Sequence, residues 1–322
     1  MKKEESQGIP ILDFRDYQST DLSRRAQFVA DLQRAYQEIG FVGVRGHEVA
    51  GKLVDELYAA AWGFVALGDT EKRQYHRPEL FGQRGYTPKG QEHAKGASVG
   101  DLKEFYHVGQ ELEAGLMARL GYPANVWPRE VPEFQGSALA VFRALESLGH
   151  GMLSAILDGL GLNYSSIIGQ VEHGNSILRV AHYFPIADAK SVPPGAVRAA
   201  AHGDINLITL LVGASADGLE LQRRDGSWLP VVVDSDTIVV NVGDMLERLS
   251  NGRLRSTIHR VVNPPEEKLN EARISMPFFM HPKAGMDLSV LDQCIDSDHP
   301  KRYANISAGE FLEQRLREIG LK

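Results

Sequence analysis

After Gly174 the chain breaks into short β-rich runs: SILRVAHYF (176–184), LITLLV (207–212), LELQ (219–222), WLPVVV (228–233), TIVVNV (237–242), TIHRVV (257–262) and ISMPFFM (274–280). Gly, Asp, Asn and Pro separate them. Alternating βα units need a crossover helix between successive parallel strands, and most of these spacings are too short for one. Many short strands at close spacing point instead to a sandwich or jelly-roll barrel.

The front half reads differently. Leu22, Val29 and Tyr36 recur at seven, with Leu32 and Ile39 in the same stripe and Gly40 as a stop, so Asp21 to Ile39 is an amphipathic helix. It lies between two strand candidates, IPILDF (9–14) and FVGVRG (41–46). A second helix is expected from Lys52 to about Leu67, and DTEKRQY begins a third with acidic residues in its first turn. Between Arg77 and Gly109 glycine accumulates and periodicity fades, which reads as a long ordered loop. Ala138 to Leu160 gives the longest helix. SAGEFLEQRLREIG closes the chain as another, with Ser307 and Glu310 as a capping box. The expected fold class is mainly β with flanking helices: a helical and mixed region at 1–174, a β core at 175–285 and a C-terminal segment at 286–322, forming one architecture.

Charge and cysteine content narrow the partners. The 35 basic and 42 acidic residues give a net charge of -7, and no block of Lys and Arg forms a nucleic-acid footprint. Cys294 is the only cysteine, which rules out an intramolecular disulfide and a thiolate zinc site and suits a reducing cytoplasm. The start, MKKEESQGIPILDF, has no apolar segment of a secretory signal, and no window approaches the roughly 18 apolar residues of a membrane span. A cytoplasmic protein acting on a small molecule is expected, with protein partners left open.

Chemistry first shows in AHGDINLITLLVG. On an extended strand His202 and Asp204 project to one side with about 7 Å of rise between them. A third ligand is offered by His259, 55 residues after Asp204. Two histidines and one carboxylate on one face of an iron leave the other face open, as in non-haem Fe(II) oxygenases. Zinc hydrolases use similar sets, but the helical HExxH motif is absent. Singly, His202 is also readable as a polar strand end and His259 as a histidine of a half-buried strand. ARISMPFF then sets Arg273 and Ser275 two apart on one strand face, where a guanidinium fork and a hydroxyl can hold a carboxylate. The alternative for Arg273 is a buried salt bridge.

His202 and Asp204, His259, then Arg273 and Ser275, in this order, resemble the Fe(II)/2-oxoglutarate-dependent dioxygenases, specifically their isopenicillin N synthase-like branch. The resemblance covers nearly the whole chain, through IPILDF, GFVGVRGH, EKRQY, GYTPKGQE, DLKEFYHVG and VNVGDMLERLSNGRLRSTIHRVV. It implies a double-stranded β-helix core, Fe(II) bound by His202, Asp204 and His259, and Arg273 and Ser275 on the far carboxylate of 2-oxoglutarate. It also places Tyr183 of HYFP near cosubstrate or substrate, although Phe184 stands between it and the proline. Gly203 occupies a position where relatives often have threonine. The implied reaction consumes O2 and 2-oxoglutarate and hydroxylates, desaturates or cyclises a small molecule, with no catalytic side chain beyond the iron centre. Isopenicillin N synthase and aminocyclopropane carboxylate oxidase, which work without 2-oxoglutarate, keep the Arg-x-Ser pair and stand as the alternative. A metal-binding small-molecule sensor is the alternative of another class.

Substrate choice is assigned to residues 77–109, 187–200 and the C-terminal helix. Arg84, Lys103 and Arg179 are candidates to meet a carboxylated substrate, each weighed against an ordinary structural charge. Asn206 and Leu207 line the site or support its turn, Asp244 starts a short helix or stabilises a turn, and His182 is a packing residue. Trp62, Trp127 and Trp228 are anchors. No P-loop and no dinucleotide-binding glycine motif is present.

Overall fold

The computed structural model describes residues 8–91, 103–186, 197–213, 218–319 and 321. The parts of the expected substrate loops at 92–102 and 187–196 lie outside these residues.

Strand β1 (Ile11–Asp13) leads into α1 (Phe14–Tyr17), and α2 (Leu22–Glu38) follows, started by the Asp21 carboxylate accepting from the Ser23 and Arg24 amides. Gly40 ends α2 at φ +74, where a Cβ would lie 2.2 Å from the Arg255 carbonyl oxygen, so only glycine fits. Next come β2 (Phe41–Arg45), α3 (Gly51–Val65) and α4 (Asp69–Arg73). Then follow β3 (Gly85–Thr87), β4 (Lys103–Gly109), α5 (Ala114–Leu120), α6 (Glu133–Gly159) and α7 (Ile168–Val171). The β-rich half supplies β5 (Ile177–Tyr183), β6 (Ala199–His202), β7 (Ile208–Val212), β8 (Leu219–Gln222), β9 (Trp228–Pro230) and β10 (Ile238–Val242). After α8 (Asp244–Leu249) come β11 (His259–Val261), β12 (Arg273–Ser275) and β13 (Pro277–Met280), and α9 (Ala308–Glu318) closes the chain. The expected capping box on α9 is present, Ser307 Oγ accepting from the Glu310 amide and Glu310 Oε2 from the Ser307 amide.

The strands form two sheets. The larger runs β1-β2-β10-β7-β13-β5-β4-β3, with β12 also on β5, and the smaller runs β6-β11-β8-β9. Together they make the jelly roll expected of the β half. Cross-strand partners share a face, so the pairing fixes what points inward. One interior row is Gly109, Ile177, Phe279, Thr209, Asn241 and Phe41. Another is His107 and Arg179, the next Phe105, Ala181 and Ser275, and the last Lys103, Tyr183 and Arg273. The outer face of the same sheet carries Val108, Leu178, Phe278, Leu210, Val240 and Val42, wholly buried against the helical layer. There Phe142 of α6 meets Phe278 edge-on at 5.0 Å. Gly149 lets α6 approach, since a Cβ there would sit 2.6 Å from Met280 Sδ.

Several expectations change. The glycine-rich 77–109 stretch is not one loop: it contains β3 and β4, and every residue of β4 is buried. Polar residues at both faces hide its period. Glu104, on the outer face, takes hydrogen bonds from Lys72 Nζ (2.8 Å) and Tyr86 OH (2.6 Å) and lies 2.9 Å from His182 Nδ1. His182 therefore belongs to a buried ionic cluster behind the sheet, with Trp62 edge-on at 5.8 Å. The longest helix begins at Glu133, a turn earlier than expected. The run 274–280 is two strands parted at Met276, and only β13 reaches β7.

Candidate metal centre and its cavity

His202 ends β6 and faces His259, the first residue of β11, across the smaller sheet. Asp204 is not on that strand. It stands two residues past the end of β6, ahead of the bend at 205–207, and its carboxylate lies on the same side as the His202 ring. Asp204 Oδ1 lies 3.9 Å from His202 Nε2 and 3.7 Å from His259 Nε2, and one ligand atom from each residue falls within 4.8 Å of the others. Among the described residues this is the one group of three or more His, Cys, Asp or Glu placed to hold a metal.

The hydrogen bonds prepare each group for a cation. His202 Nδ1 is 2.7 Å from the Ala200 carbonyl and His259 Nδ1 is 3.1 Å from the Thr257 carbonyl. A carbonyl only accepts, so both rings carry a hydrogen on Nδ1 and turn Nε2, the nitrogen left to bind a metal, to Asp204. Asp204 Oδ2 accepts from Thr209 Oγ1 (2.6 Å) and Asn241 Nδ2 (2.8 Å), and Thr209 Oγ1 accepts from Asn206 Nδ2 (2.9 Å). Oδ1 is left to face the two rings. Burial alone would raise the Asp204 pKa, but the two imidazoles with Asn241 and Thr209 outweigh it and hold it below the ordinary carboxylate value. Burial, reinforced by His259, pushes His202 down and keeps it neutral. Asp204 and His259 are buried, while 38% of the His202 side chain is exposed, so the open side of the triad faces the cavity. Two imidazole nitrogens and one carboxylate oxygen suit a divalent iron.

Sequence reasoning does not find Thr209 and Asn241. Their signal is a lone polar residue at an inward position of an apolar strand. Asn241→Leu removes a donor to Oδ2 and is expected to weaken Fe(II) binding by about 10- to 100-fold, measured by anaerobic iron titration. Asn206 braces Thr209, and Leu207 is buried in the core. At Gly203 a Cβ would point away from the triad, 3.2 Å from Asp244 Oδ1 and 3.4 Å from Ser256 Oγ. Both neighbours are side-chain ends that can shift. Gly203→Ala is expected to cost about 1 kcal/mol or less in stability and to leave the Fe(II) midpoint of the same titration nearly unchanged.

The triad opens into a cavity of about 530 Å³, within the range of small-molecule sites. His202 and Asp204 line it with Lys103, Arg179, Phe279 and, from α9, Leu312. Asp244, the first residue of α8, accepts from Ser256 Oγ at 2.7 Å and pairs with Arg315 of α9 at 3.3 Å, which ties the C-terminal helix to the cavity rim. Arg273, Ser275 and Tyr183 do not line this cavity. They stand further along the same inner face, where the Arg273 Cζ is 5.2 Å from the Tyr183 ring centre. The structure thus places the Arg-x-Ser pair and Tyr183 side by side, with Lys103 on the same row. Arg84 lies elsewhere: wholly buried, it gives Nη1 to the Gln83 carbonyl and Nη2 to Asn175, and burial lowers its pKa to about 10. Trp228 stacks on Arg260, and Trp127 packs at the core margin.

A jelly roll with two imidazoles and a carboxylate converging between its sheets is the architecture of mononuclear non-haem iron oxygenases. Residues 174–282 match the 2OG-Fe(II) oxygenase superfamily, and residues 9–130 match the N-terminal family described as non-haem dioxygenase in morphine synthesis. A proline hydroxylase of Petromyces alliaceus is 32% identical over 96% of this chain and 98% of its own. A solved 2OG-Fe(II) oxygenase family protein of Caulobacter crescentus is 40% identical with a TM-score of 0.84, covering 96% of this chain and 98% of its own. A full-length Neurospora crassa protein, solved in complex with alpha-KG, is 28% identical with a TM-score of 0.84, covering 98% and 100%. The chain belongs to the Fe(II)- and 2-oxoglutarate-dependent oxygenases and is an oxidoreductase using Fe(II), 2-oxoglutarate and O2. The alternative without 2-oxoglutarate is not favoured by these relatives. Among the described residues no helix is long and apolar enough to cross a membrane.

Proposed function

We propose that His202, Asp204 and His259 hold the iron, that Arg273 and Ser275 grip the distal carboxylate of 2-oxoglutarate with Tyr183 beside them, and that the cavity receives a small molecule. The observation that carries this reading is the convergence of the two Nε2 atoms and Asp204 Oδ1 at the cavity. With the iron in place, 2-oxoglutarate and O2 supply an oxidative decarboxylation coupled to oxidation of a substrate C–H bond. The chain's residues bind and orient. Thr209 and Asn241 fix which Asp204 oxygen faces inward, and the Ala200 and Thr257 carbonyls fix both histidine tautomers. Ile205, Ile258, Phe279 and Leu312 make much of the cavity wall apolar, which keeps water from the reacting centre.

The net charge of -7 supports a small molecule over a nucleic acid, and a relative named a proline hydroxylase, with a Neurospora crassa neighbour solved in complex with thymine, supports the same class. A lone, buried Cys294 suits a reducing cytoplasm. Anaerobic titration of the Fe(II) protein with 2-oxoglutarate tests the reading. A visible metal-to-ligand charge-transfer band should grow to one equivalent, and O2 should then release succinate. No band and no succinate would overturn it.

A further inference from the structure

Burying a polar side chain without a partner costs free energy, so a buried unpaired group in a cavity wall points to what the cavity takes up. Among the described residues that line the cavity, the buried side-chain atoms with no hydrogen-bond partner are Gln83 Oε1, His281 Nδ1 and Arg315 Nε. Arg315 is engaged through its other nitrogens, with Asp244 and Glu318. His107, on the same wall, faces the Gly82 carbonyl with Nδ1 and accepts from Arg179 with Nε2. Gln83 and His281 differ from both, since neither side chain hydrogen-bonds to a described residue.

His281 stands two residues beyond Phe279, just past the end of β13, and is only 7% exposed. Its backbone is fixed, the amide donating to Ser176 Oγ at 3.3 Å and the carbonyl accepting from the same hydroxyl at 3.4 Å. The ring lies outside the metal-binding group. Burial lowers its pKa to about 4, against a weaker upward pull from Asp204, so the imidazole is neutral, with one N–H and one acceptor nitrogen. Gln83 is anchored nearby. Its carbonyl takes Arg84 Nη1, Arg84 Nη2 reaches Asn175, and the Asn175 amide donates to the carbonyl of Pro282, next to His281. Both residues are thus tied to the chain that enters β5.

We propose that His281 and Gln83 select the substrate by receiving a neutral group that both donates and accepts hydrogen bonds, the chemistry of an amide, a lactam or an alcohol. The proposal rests on reading His202, Asp204 and His259 as the iron site, which makes the adjoining cavity the substrate's. Gln83 Oε1 only accepts, so what meets it carries an N–H or O–H. The neutral imidazole can take either role toward the same group. Neither side chain carries a charge to balance an ion drawn out of water, which favours a neutral group over a carboxylate or an ammonium.

The test is anaerobic calorimetric titration of the Fe(II)·2-oxoglutarate protein with small lactams, secondary amides and alcohols, each beside the N-methyl or O-methyl analogue that lacks its donor. At least one parent compound should bind, and its methylated analogue should bind roughly 10-fold or more weakly. His281→Leu and Gln83→Met should each weaken that compound by a similar factor while the 2-oxoglutarate charge-transfer band keeps its midpoint. His281→Gln, which keeps a donor and an acceptor, should recover part of the loss. Without substrate both apolar variants should melt no lower than the wild type, because each removes a polar group that has no partner to lose. Methylated analogues binding as well as their parents, no compound binding, or unchanged binding or a lowered Tm in either apolar variant would each overturn the proposal. So would loss of the band in His281→Leu with the band intact in the wild type, which would give His281 to the iron or the cosubstrate. A wild-type protein that never develops the band would instead refute the iron and 2-oxoglutarate assignment.

Discussion

Asp204→Ala is expected to yield a folded protein that neither retains iron nor oxidises substrate, with succinate release falling by about three orders of magnitude or more. Among the described residues Asp204 is the one carboxylate facing both Nε2 atoms, and two imidazole nitrogens alone neither balance the charge of a divalent ion nor complete its face. The loss also strands Thr209 Oγ1 and Asn241 Nδ2, whose shared acceptor is Oδ2. Leaving buried groups unsatisfied costs about 1–3 kcal/mol, so a lowered Tm should accompany the loss of iron while circular dichroism keeps its native shape. Iron content after anaerobic loading and gel filtration is the direct measurement. A variant that keeps one equivalent of iron and full turnover would refute the assignment of the triad.

Arg273→Gln is expected to act on the cosubstrate and not on the metal. Removing one partner of a buried, hydrogen-bonded charge pair costs about 2–5 kcal/mol, which is roughly 30-fold to several-thousand-fold in affinity. The 2-oxoglutarate titration midpoint should rise by that factor while Fe(II) affinity stays at the wild-type value. Ser275→Ala removes one neutral donor from the same grip and should cost about 2- to 10-fold. Tyr183 is in register with Arg273, its ring centre 5.2 Å from the guanidinium carbon. An unchanged 2-oxoglutarate midpoint in Arg273→Gln would show that the carboxylate lies elsewhere.

The elements legible in the chain are those whose residues cluster or recur cleanly. The β runs from 176 to 280 show as short β-branched and aromatic segments between turn residues, and the helix ending at Gly40 shows its stripe and its stop. The opposite case is β4. Lys103, Glu104 and His107 break its apolar pattern, and only burial with specific partners makes such a strand possible. Those partners come from α4, β3 and β5, distant in the chain.

By itself the sequence determined which chemistries were available: two histidines, an aspartate and an Arg-x-Ser pair, in an order that points to an iron oxygenase. These are properties of side-chain type and of succession along the chain. Only the tertiary structure decided which groups meet. Strand register selects the inward face, and a shift of one residue would turn Thr209, Asn241 and Arg179 outward. It gave Asp204 its two supporting donors and put His182 behind the sheet. It also separated similar cations, sealing Arg84 in the interior and bringing Lys103, in the row of Tyr183, and Arg179 to the cavity. Those outcomes depend on pairings between residues tens of positions apart, which local pattern does not encode.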